Sequence, residues 1–139
     1  MAPVTIIQVS TPIGQDNGND IPYIRLADII LARAEALNEI GGPTQEAVDL
    51  INQIRNRVGA TPAVLSNYPS KESLRDFILA ERAREFYSEG LRREDLVRHG
   101  KFIQQAIDRG IAAEPHQVLY PLPQEQIDNN PNLEQNPGY

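Results

Sequence analysis

Residues 21–59, "IPYIRLADIILARAEALNEIGGPTQEAVDLINQIRNRVG", contain two amphipathic segments separated by a short break that contains two glycines. In the first segment, apolar side chains recur at helical spacing, and three alanines leave room for a neighbouring helix to approach closely. The apolar positions are Leu26, Ile29, Ile30, Leu37 and Ile40, and the alanines are Ala32, Ala34 and Ala36. This pattern predicts a helix over residues 21–40 whose apolar stripe faces the core.

The break predicts where this helix ends and where the next one begins. Gly41 and Gly42 favour the left-handed backbone that ends helices, and Thr44 can cap the N-terminus of a new helix. The second helix has a single apolar stripe, formed by Ala47, Leu50, Ile51, Ile54 and Val58 and ending at Gly59. The short connection predicts an antiparallel hairpin that resembles one tetratricopeptide-type unit and needs further helices to cover its apolar surface.

A third helix is predicted between Ser70, a candidate N-cap, and Gly90, a candidate stop. This helix is unusual because its acidic side chains do not lie opposite its apolar ones. At about 3.6 residues per turn, one face carries the apolar residues Leu74, Phe77 and Ile78 together with Glu81, Glu85 and Glu89. Its second half therefore either leaves the core or takes carboxylates into it.

The next stretch, "GLRREDLVRHG" at residues 90–100, places Arg92 and Arg98 three residues before and after Asp95. The planar, weakly hydrated guanidinium group is suited to buried carboxylates, which favours a network inside the protein. A solvated lattice of surface ion pairs is the alternative, and the residues alone leave both interpretations open. The network would consist of Glu81, Arg82, Glu85, Glu89, Arg92, Asp95 and Arg98.

Length and charge exclude several classes of protein. With 139 residues, the chain has the size of one domain, and its net charge of −6 argues against nucleic-acid binding, which needs a basic surface. No apolar run approaches the roughly 18 residues of a membrane span. The absence of cysteine excludes disulfides and thiolate sites but does not identify the compartment.

Catalytic and metal sites are also unsupported by the sequence. The acidic pairs Glu81 and Glu85, or Glu89 and Asp95, are candidates for the two carboxylates of a glycosidase. Side chains four residues apart on one helix project in the same direction, however, and cannot flank a glycosidic bond. A metal site would have only Asp95 and His99 at helical spacing, without the Glu-x-x-His repeats of helical metal sites. We therefore predict no catalytic residue, no metal and no cofactor.

Four blocks, in this order, carry a family resemblance: "RLADIILARAEALNEIGG", "INQIRNRVGA", "ILAERAREFYSEGLRREDLVRHG" and "YPLPQEQIDNNPNLEQNPGY". Together they resemble the C-terminal part of the SusD/RagB family, which are cell-surface lipoproteins that capture glycans for an outer-membrane transporter. The likeness covers about residues 20–139. Residues 1–19 contain "TPIGQDNGND", whose Pro, Gly, Asn and Asp favour turns, and are expected to be an irregular lead-in. Family members are several times longer and begin with a lipoprotein signal, and we therefore expect this chain to be a C-terminal piece.

The resemblance implies an all-α fold, with a tetratricopeptide-like hairpin, further helices and an extended tail rich in proline and asparagine. It implies a non-catalytic scaffold that works with a SusC-like TonB-dependent transporter at the outer surface of the outer membrane, lipid-anchored in the full-length protein. The charged residues from Glu81 to Arg98 match a family pattern and are read as structural. The alternative function is a stand-alone helical module for protein–protein interaction, which has the same fold.

Sugar-contacting residues cannot be transferred from the family, because its glycan platform lies largely outside these blocks. Tyr68, Tyr87 and Tyr120 are candidates for stacking on a sugar ring, although each is near apolar residues and packing is the more common role. Where many members carry aromatic residues, this chain has Arg93, Glu94 and His99. The prolines and asparagines of the tail predict extended backbone broken by a short helix starting near Pro123. The resemblance implies that this tail is ordered, with the anchors Leu119, Leu122, Ile127 and Leu133.

Overall fold

The structure is a computed structural model that describes residues 23–139. These residues form α-helices and two short 3-10 turns, with no β-strand among them, which confirms the all-α prediction. The helices are α1 (Leu26–Gly41), α2 (Gln45–Arg57), α3 (Lys71–Glu85), α4 (Arg92–Arg98), α5 (Phe102–Asp108) and α6 (Gln124–Asn129). The predicted lead-in, residues 1–19, and the first two residues of the predicted first helix lie outside the described residues.

Helices α1 and α2 form the predicted hairpin, and α3 packs against both of them. Gly42 has a φ of 81° at the end of α1, and the Thr44 side chain accepts a hydrogen bond from the Ala47 amide at 3.2 Å. Both caps therefore lie where the sequence predicts them. The core lies between the three helices and is formed mainly by Leu31, Ala34, Ala47, Val48, Ile51, Ile54, Leu74 and Ile78.

The predicted core face of α1 was wrong. Leu26, Ile29 and Ile40 are 72%, 57% and 87% exposed, whereas the buried line of this helix runs through Ala27, Leu31, Ala34 and Asn38. Ile30 and Leu37 lie at the edge and are partly buried. The physical reason is that apolar residues cover more of α1 than one stripe, and the two neighbouring helices pack on the side that carries Ala27 and Ala34. Of the three alanines predicted to admit a neighbour, only Ala34 is buried, whereas Ala32 and Ala36 are exposed.

Helix α3 begins as predicted but ends earlier. The Ser70 side chain accepts from the Ser73 amide, and the Ser73 hydroxyl lies 3.1 Å from the Ser70 amide nitrogen, which forms a capping box. The helix ends at Glu85 rather than near Glu89, and the turn that follows contains Ser88 and Gly90 at positive φ. This turn directs the chain into α4, so that α4 packs back against α3.

The remaining chain forms a less buried end of the molecule. Helix α5 contacts the 3-10 turn at Pro115–Val118, and α6 starts directly after Pro123, close to the expected position. The Gln135 side chain bonds both the amide and the carbonyl of Leu122, and the Tyr139 hydroxyl donates to the Leu119 carbonyl at 2.9 Å. The side chains of Leu119 and Leu133 are not anchors in the described structure, because these residues are 49% and 36% exposed.

Candidate functional site

The most buried charged group of the described residues is centred on Arg82 in α3. Its Nε donates to Asp95 of α4 at 2.8 Å, and its terminal nitrogen Nη1 donates to Asp28 of α1 at 2.7 Å. Only 7% of the Arg82 side chain and 5% of the Asp95 side chain are exposed. Arg98 extends this group from Asp95 to Glu35 of α1, so that one chain of alternating charges joins three helices.

Two further groups of charges join the hairpin to α3. Glu81 accepts from Arg55 of α2 at 2.7 Å and from Arg84 at 2.6 Å. Glu85 accepts from Arg25 at 2.6 Å and from Arg57 at 2.8 Å, and both its Oε atoms face the latter guanidinium. Two arginines therefore hold each carboxylate, and both glutamates join α3 to the hairpin.

Arg25 stands at the start of α1 and also binds Glu89 in the turn after α3. Its Nε and Nη2 donate to the two carboxylate oxygens of Glu89, each at 2.8 Å. This two-point hydrogen bond lowers the pKa of Glu89 and raises that of the Arg25 guanidinium. The contact holds the end of α3 against the start of α1.

The structure brings the predicted charged residues together differently from the sequence interpretation. Only Asp95, Arg82 and Arg98 pair with one another, whereas the three glutamates pair with arginines from α2, from the start of α1 and, for Glu81, also with Arg84 of α3. Arg92 donates instead to the Leu79 carbonyl and to Gln105, each at 3.1 Å. Sequence reasoning missed the partners Arg25, Asp28, Glu35, Arg55, Arg57 and Arg84. For Arg55 and Arg57, a signal was available in the sequence, because both arginines stand in "INQIRNR", directly before the predicted end of α2.

His99 adds a buried imidazole to the Arg82 group. Its side chain is 4% exposed, and its Nε2 lies 3.2 Å from a carboxylate oxygen of Glu35. Burial lowers the pKa of His99 from its usual value, although the nearby Glu35 carboxylate acts in the opposite direction. Nε2 makes no hydrogen bond within the described residues. The imidazole therefore contributes to packing between α4 and α1 at neutral pH.

The three candidate tyrosines lie in different environments. Tyr68 packs against Phe77 with 4.6 Å between ring centroids, and its burial raises the pKa of its phenol. Tyr87 is 83% exposed in the turn after α3, away from the other two. Tyr120 is 66% exposed, and the Arg93 guanidinium lies over its ring, with 3.9 Å between the guanidinium carbon and the ring centroid. Packing thus accounts for Tyr68, while Tyr87 and Tyr120 are accessible.

Tyr120 belongs to a groove between α5 and the tail, with a volume of about 480 Å³. The Arg93 guanidinium also lies 5.1 Å from the centroid of Phe102, and Tyr139 closes one side, with its ring edge against His116. Concave, largely apolar sites with a few polar groups, of roughly 300–1,000 Å³, are typical of small-ligand binding. Of the three candidate tyrosines, Tyr120 therefore has the surroundings of a ligand site.

Within residues 23–139, no group of three or more His, Cys, Asp or Glu side chains is arranged to hold a metal ion. None of the helices in the same range has both the length and the apolar composition needed to span a bilayer.

Comparison with known proteins identifies relatives over nearly the whole chain. A SusD-like protein of Formosa agariphila is 38% identical over 96% of this chain, and the starch-binding protein SusD of Bacteroides thetaiotaomicron is 39% identical over 86% of it. A second SusD-like protein of Formosa agariphila is 31% identical over 91% of the chain. The aligned parts cover only 27%, 22% and 27% of these relatives. The search of solved structures found no significant match.

The sequence model of the SusD family matches residues 8–139, which extends the likeness beyond the four blocks that first indicated it. The match includes the hairpin, the charged α3–α4 region and the tail, so it does not depend on a single motif. The chain belongs to the SusD family.

Proposed function

We propose that this chain is the scaffold portion of a cell-surface protein that binds oligosaccharides and passes them to a SusC-like TonB-dependent transporter. The observation that carries the proposal is membership of the SusD family together with the 39% identity to a protein named for starch binding. On this proposal the full-length protein is lipid-anchored at the outer surface of the outer membrane. Most of its glycan contacts lie in segments outside this chain, which spans about a quarter of its relatives.

The proposed role is binding without turnover. A glycosidase needs two carboxylates on opposite sides of a glycosidic bond, one of which must be protonated to donate. Glu81 and Glu85 instead lie on one side of α3, and each is held by two guanidinium groups. Their positions support a structural role in joining α3 to the hairpin.

The test of this proposal uses the full-length protein that contains this chain. Native gels cast with different polysaccharides should retard the protein on at least one of them, and detergent extracts should co-purify a TonB-dependent transporter. Absence of retardation on every neutral and acidic polysaccharide would contradict glycan capture.

Catalysis is tested separately by incubating the protein with the same glycans and assaying reducing ends. We expect no release above a heat-treated control. Release that is abolished by Glu85→Gln would show that the carboxylates are catalytic and would overturn the scaffold role.

A further inference from the structure

The groove between α5 and the tail differs in charge from the rest of this acidic protein. Its polar and aromatic lining is formed by Arg93, Phe102, Arg109, Gln117, Tyr120 and Tyr139, and the remaining lining residues are apolar. No aspartate or glutamate is among the residues of the described chain that line it. In a chain with a net charge of −6, a groove with two arginines and no acidic side chain has a local excess of positive charge.

The arginines of the groove also differ from most cations of this chain in having no ion-pair partner among the described residues. Residues 23–139 contain all thirteen lysines and arginines, and ten of them form an ion pair with a carboxylate of the same range. The three without such a partner in the described residues are Arg92, Arg93 and Arg109. Arg92 bonds to Leu79 and Gln105, whereas Arg93 and Arg109 both line the groove.

Each of these two arginines is held in place but retains free donors. Arg93 donates to the Val118 carbonyl, and Arg109 donates through Nε to the Gln105 carbonyl, both at 2.9 Å. A guanidinium group has five N–H donors in a planar fork that matches oxyanions. Groups fixed in this way lose less side-chain entropy when a ligand binds.

Two exposed tyrosines supply the other half of the site. Tyr120 is 66% exposed although Arg93 covers part of its ring, and Tyr139 is 47% exposed at the rim. A tyrosine offers an apolar ring and a polar hydroxyl, which suits a ligand that has both C–H faces and hydroxyl groups. A saccharide has both features, and an anionic substituent on it would neutralise the arginines.

We propose that this groove binds an acidic saccharide unit, with Arg93 and Arg109 facing its carboxylate or sulfate group and Tyr120 packing against its ring. The inference rests on the proposed function and adds the class of glycan and a subsite within this chain. Both kinds of anionic sugar present the same chemistry to a guanidinium group, and the experiment distinguishes them.

The experiment measures binding of three disaccharides to the 139-residue chain by titration calorimetry at low and high salt. Cellobiouronic acid carries a carboxylate, cellobiose 6-sulfate carries a sulfate, and cellobiose is the neutral control with the same rings. We expect at least one acidic disaccharide to bind about tenfold or more tightly than cellobiose, as a charged hydrogen bond implies. Added salt should weaken this preference.

Substitutions locate the site. Arg109→Gln should weaken binding of the acidic disaccharide by about tenfold and leave folding intact, because the only hydrogen bond of this side chain in the described structure is an exposed one to the Gln105 carbonyl, four residues earlier. Tyr120→Ala should weaken the binding of both the acidic and the neutral disaccharides. Arg33→Gln is the matched control. Arg33 is a surface arginine on α1 that pairs with Glu46 and does not line the groove. This substitution should leave every affinity unchanged.

The outcomes separate this inference from the proposed function. Equal affinity for acidic and neutral disaccharides, or no effect of Arg109→Gln, would overturn the groove as an acidic-sugar site. So would binding of an acidic hexapeptide as tight as that of the disaccharides, because it would identify the groove as a protein contact. In each of these cases, retardation of the full-length protein on a polysaccharide gel would still support glycan capture.

Discussion

The two ends of this molecule are held together by different interactions. At the α1–α4 end, a core of aliphatic side chains is combined with ion pairs such as Arg82 to Asp95, whose side chains are 7% and 5% exposed. At the α5–tail end, none of residues 100–139 is buried, and the contacts are mainly hydrogen bonds and ring contacts. The difference is that the first end buries some of its ion pairs, whereas the second keeps its polar groups in contact with water.

This contrast sets how each end responds to the loss of a contact. A charge left without its partner in a buried site retains its desolvation penalty, whereas an exposed group is solvated again by water. Regions with few buried apolar contacts also open more easily than the core. We therefore expect large, global effects from substitutions at the α1–α4 end and small, local effects at the other end.

The largest effect is expected from Arg82→Ala. Removing this guanidinium takes a charged hydrogen-bond partner from both Asp95 and Asp28. Breaking a buried pair typically lowers the free energy of unfolding by about 3–5 kcal/mol. A domain of this size has only about 5–15 kcal/mol in total, so the variant should be largely unfolded at 37 °C. Urea denaturation followed by circular dichroism measures the loss.

The control for Arg82→Ala is Arg33→Ala, in an ion pair whose side chains are 63% and 55% exposed. It should change the free energy of unfolding by about 0–1 kcal/mol. If Arg82→Ala also falls within about 1 kcal/mol of the wild type, the buried charges contribute no more than surface pairs, and the contrast between the two ends is wrong.

A smaller effect is expected from deleting residues 129–139. The deletion removes the contacts of Gln135, Asn136 and Tyr139 with the backbone from Leu119 to Leu122, and net hydrogen-bond contributions are about 0.5–1.5 kcal/mol each in favourable cases. The melting temperature should fall by a few degrees, roughly as 1 kcal/mol implies for a small domain. Hydrogen exchange should show faster exchange in the α5–tail end and unchanged protection in α1–α3.

Tyr139→Phe is the matched control for the deletion, because it removes only the hydroxyl that donates to the Leu119 carbonyl. Tyr139→Phe should lower the melting temperature by only a fraction of the decrease caused by the deletion. An unchanged melt of the deletion variant, together with sharp random-coil NMR signals from the tail of the intact chain, would mean that the tail is not part of the folded structure.

The smallest effect is expected at Glu39, whose ion pair joins α1 to α3 at the protein surface. The Arg75 hydrogen bonds, each at 2.6 Å, lower the pKa of Glu39 from 4.5 to about 2. A depressed pKa in the folded state means that the stabilisation is present above pH 4.5 and is lost as the pH falls toward 2. Because the side chain is 36% exposed, solvent screening limits it to less than about 1 kcal/mol.

Glu39→Gln should therefore flatten the dependence of unfolding free energy on pH between about 4.5 and 2. Its cost, less than about 1 kcal/mol, should be present at pH 7 and should disappear as the pH approaches 2. The measurement is a set of urea melts across this range for both proteins. Glu46→Gln, at the exposed pair with Arg33, is the comparison. If Glu39→Gln changed the unfolding free energy by several kcal/mol, the exposure of an ion pair would not predict its contribution to stability in this protein.

Much of the helical framework could be predicted from the residues because its signals are local. Thr44, Ser70 and the glycines at 41 and 42 act through backbone hydrogen bonds and φ angles within a few residues of themselves. The end of α3 was less predictable, since the helix stops at Glu85 while its most obvious stop signal, Gly90, lies five residues later. The turn between them is held in part by Arg25, which is 64 residues from Glu89 in the chain.

The sequence by itself determined the all-α class, the hairpin, the family and the presence of acids on the apolar side of α3. Those properties follow from periodicity, capping and residue types that repeat along the chain. Tertiary structure alone decided which arginine meets which glutamate, which side of α1 is buried, and that Arg93 and Arg109 share a groove with Tyr120. These depend on how the helices pack, because a guanidinium group can reach any of several carboxylates until packing fixes the distances.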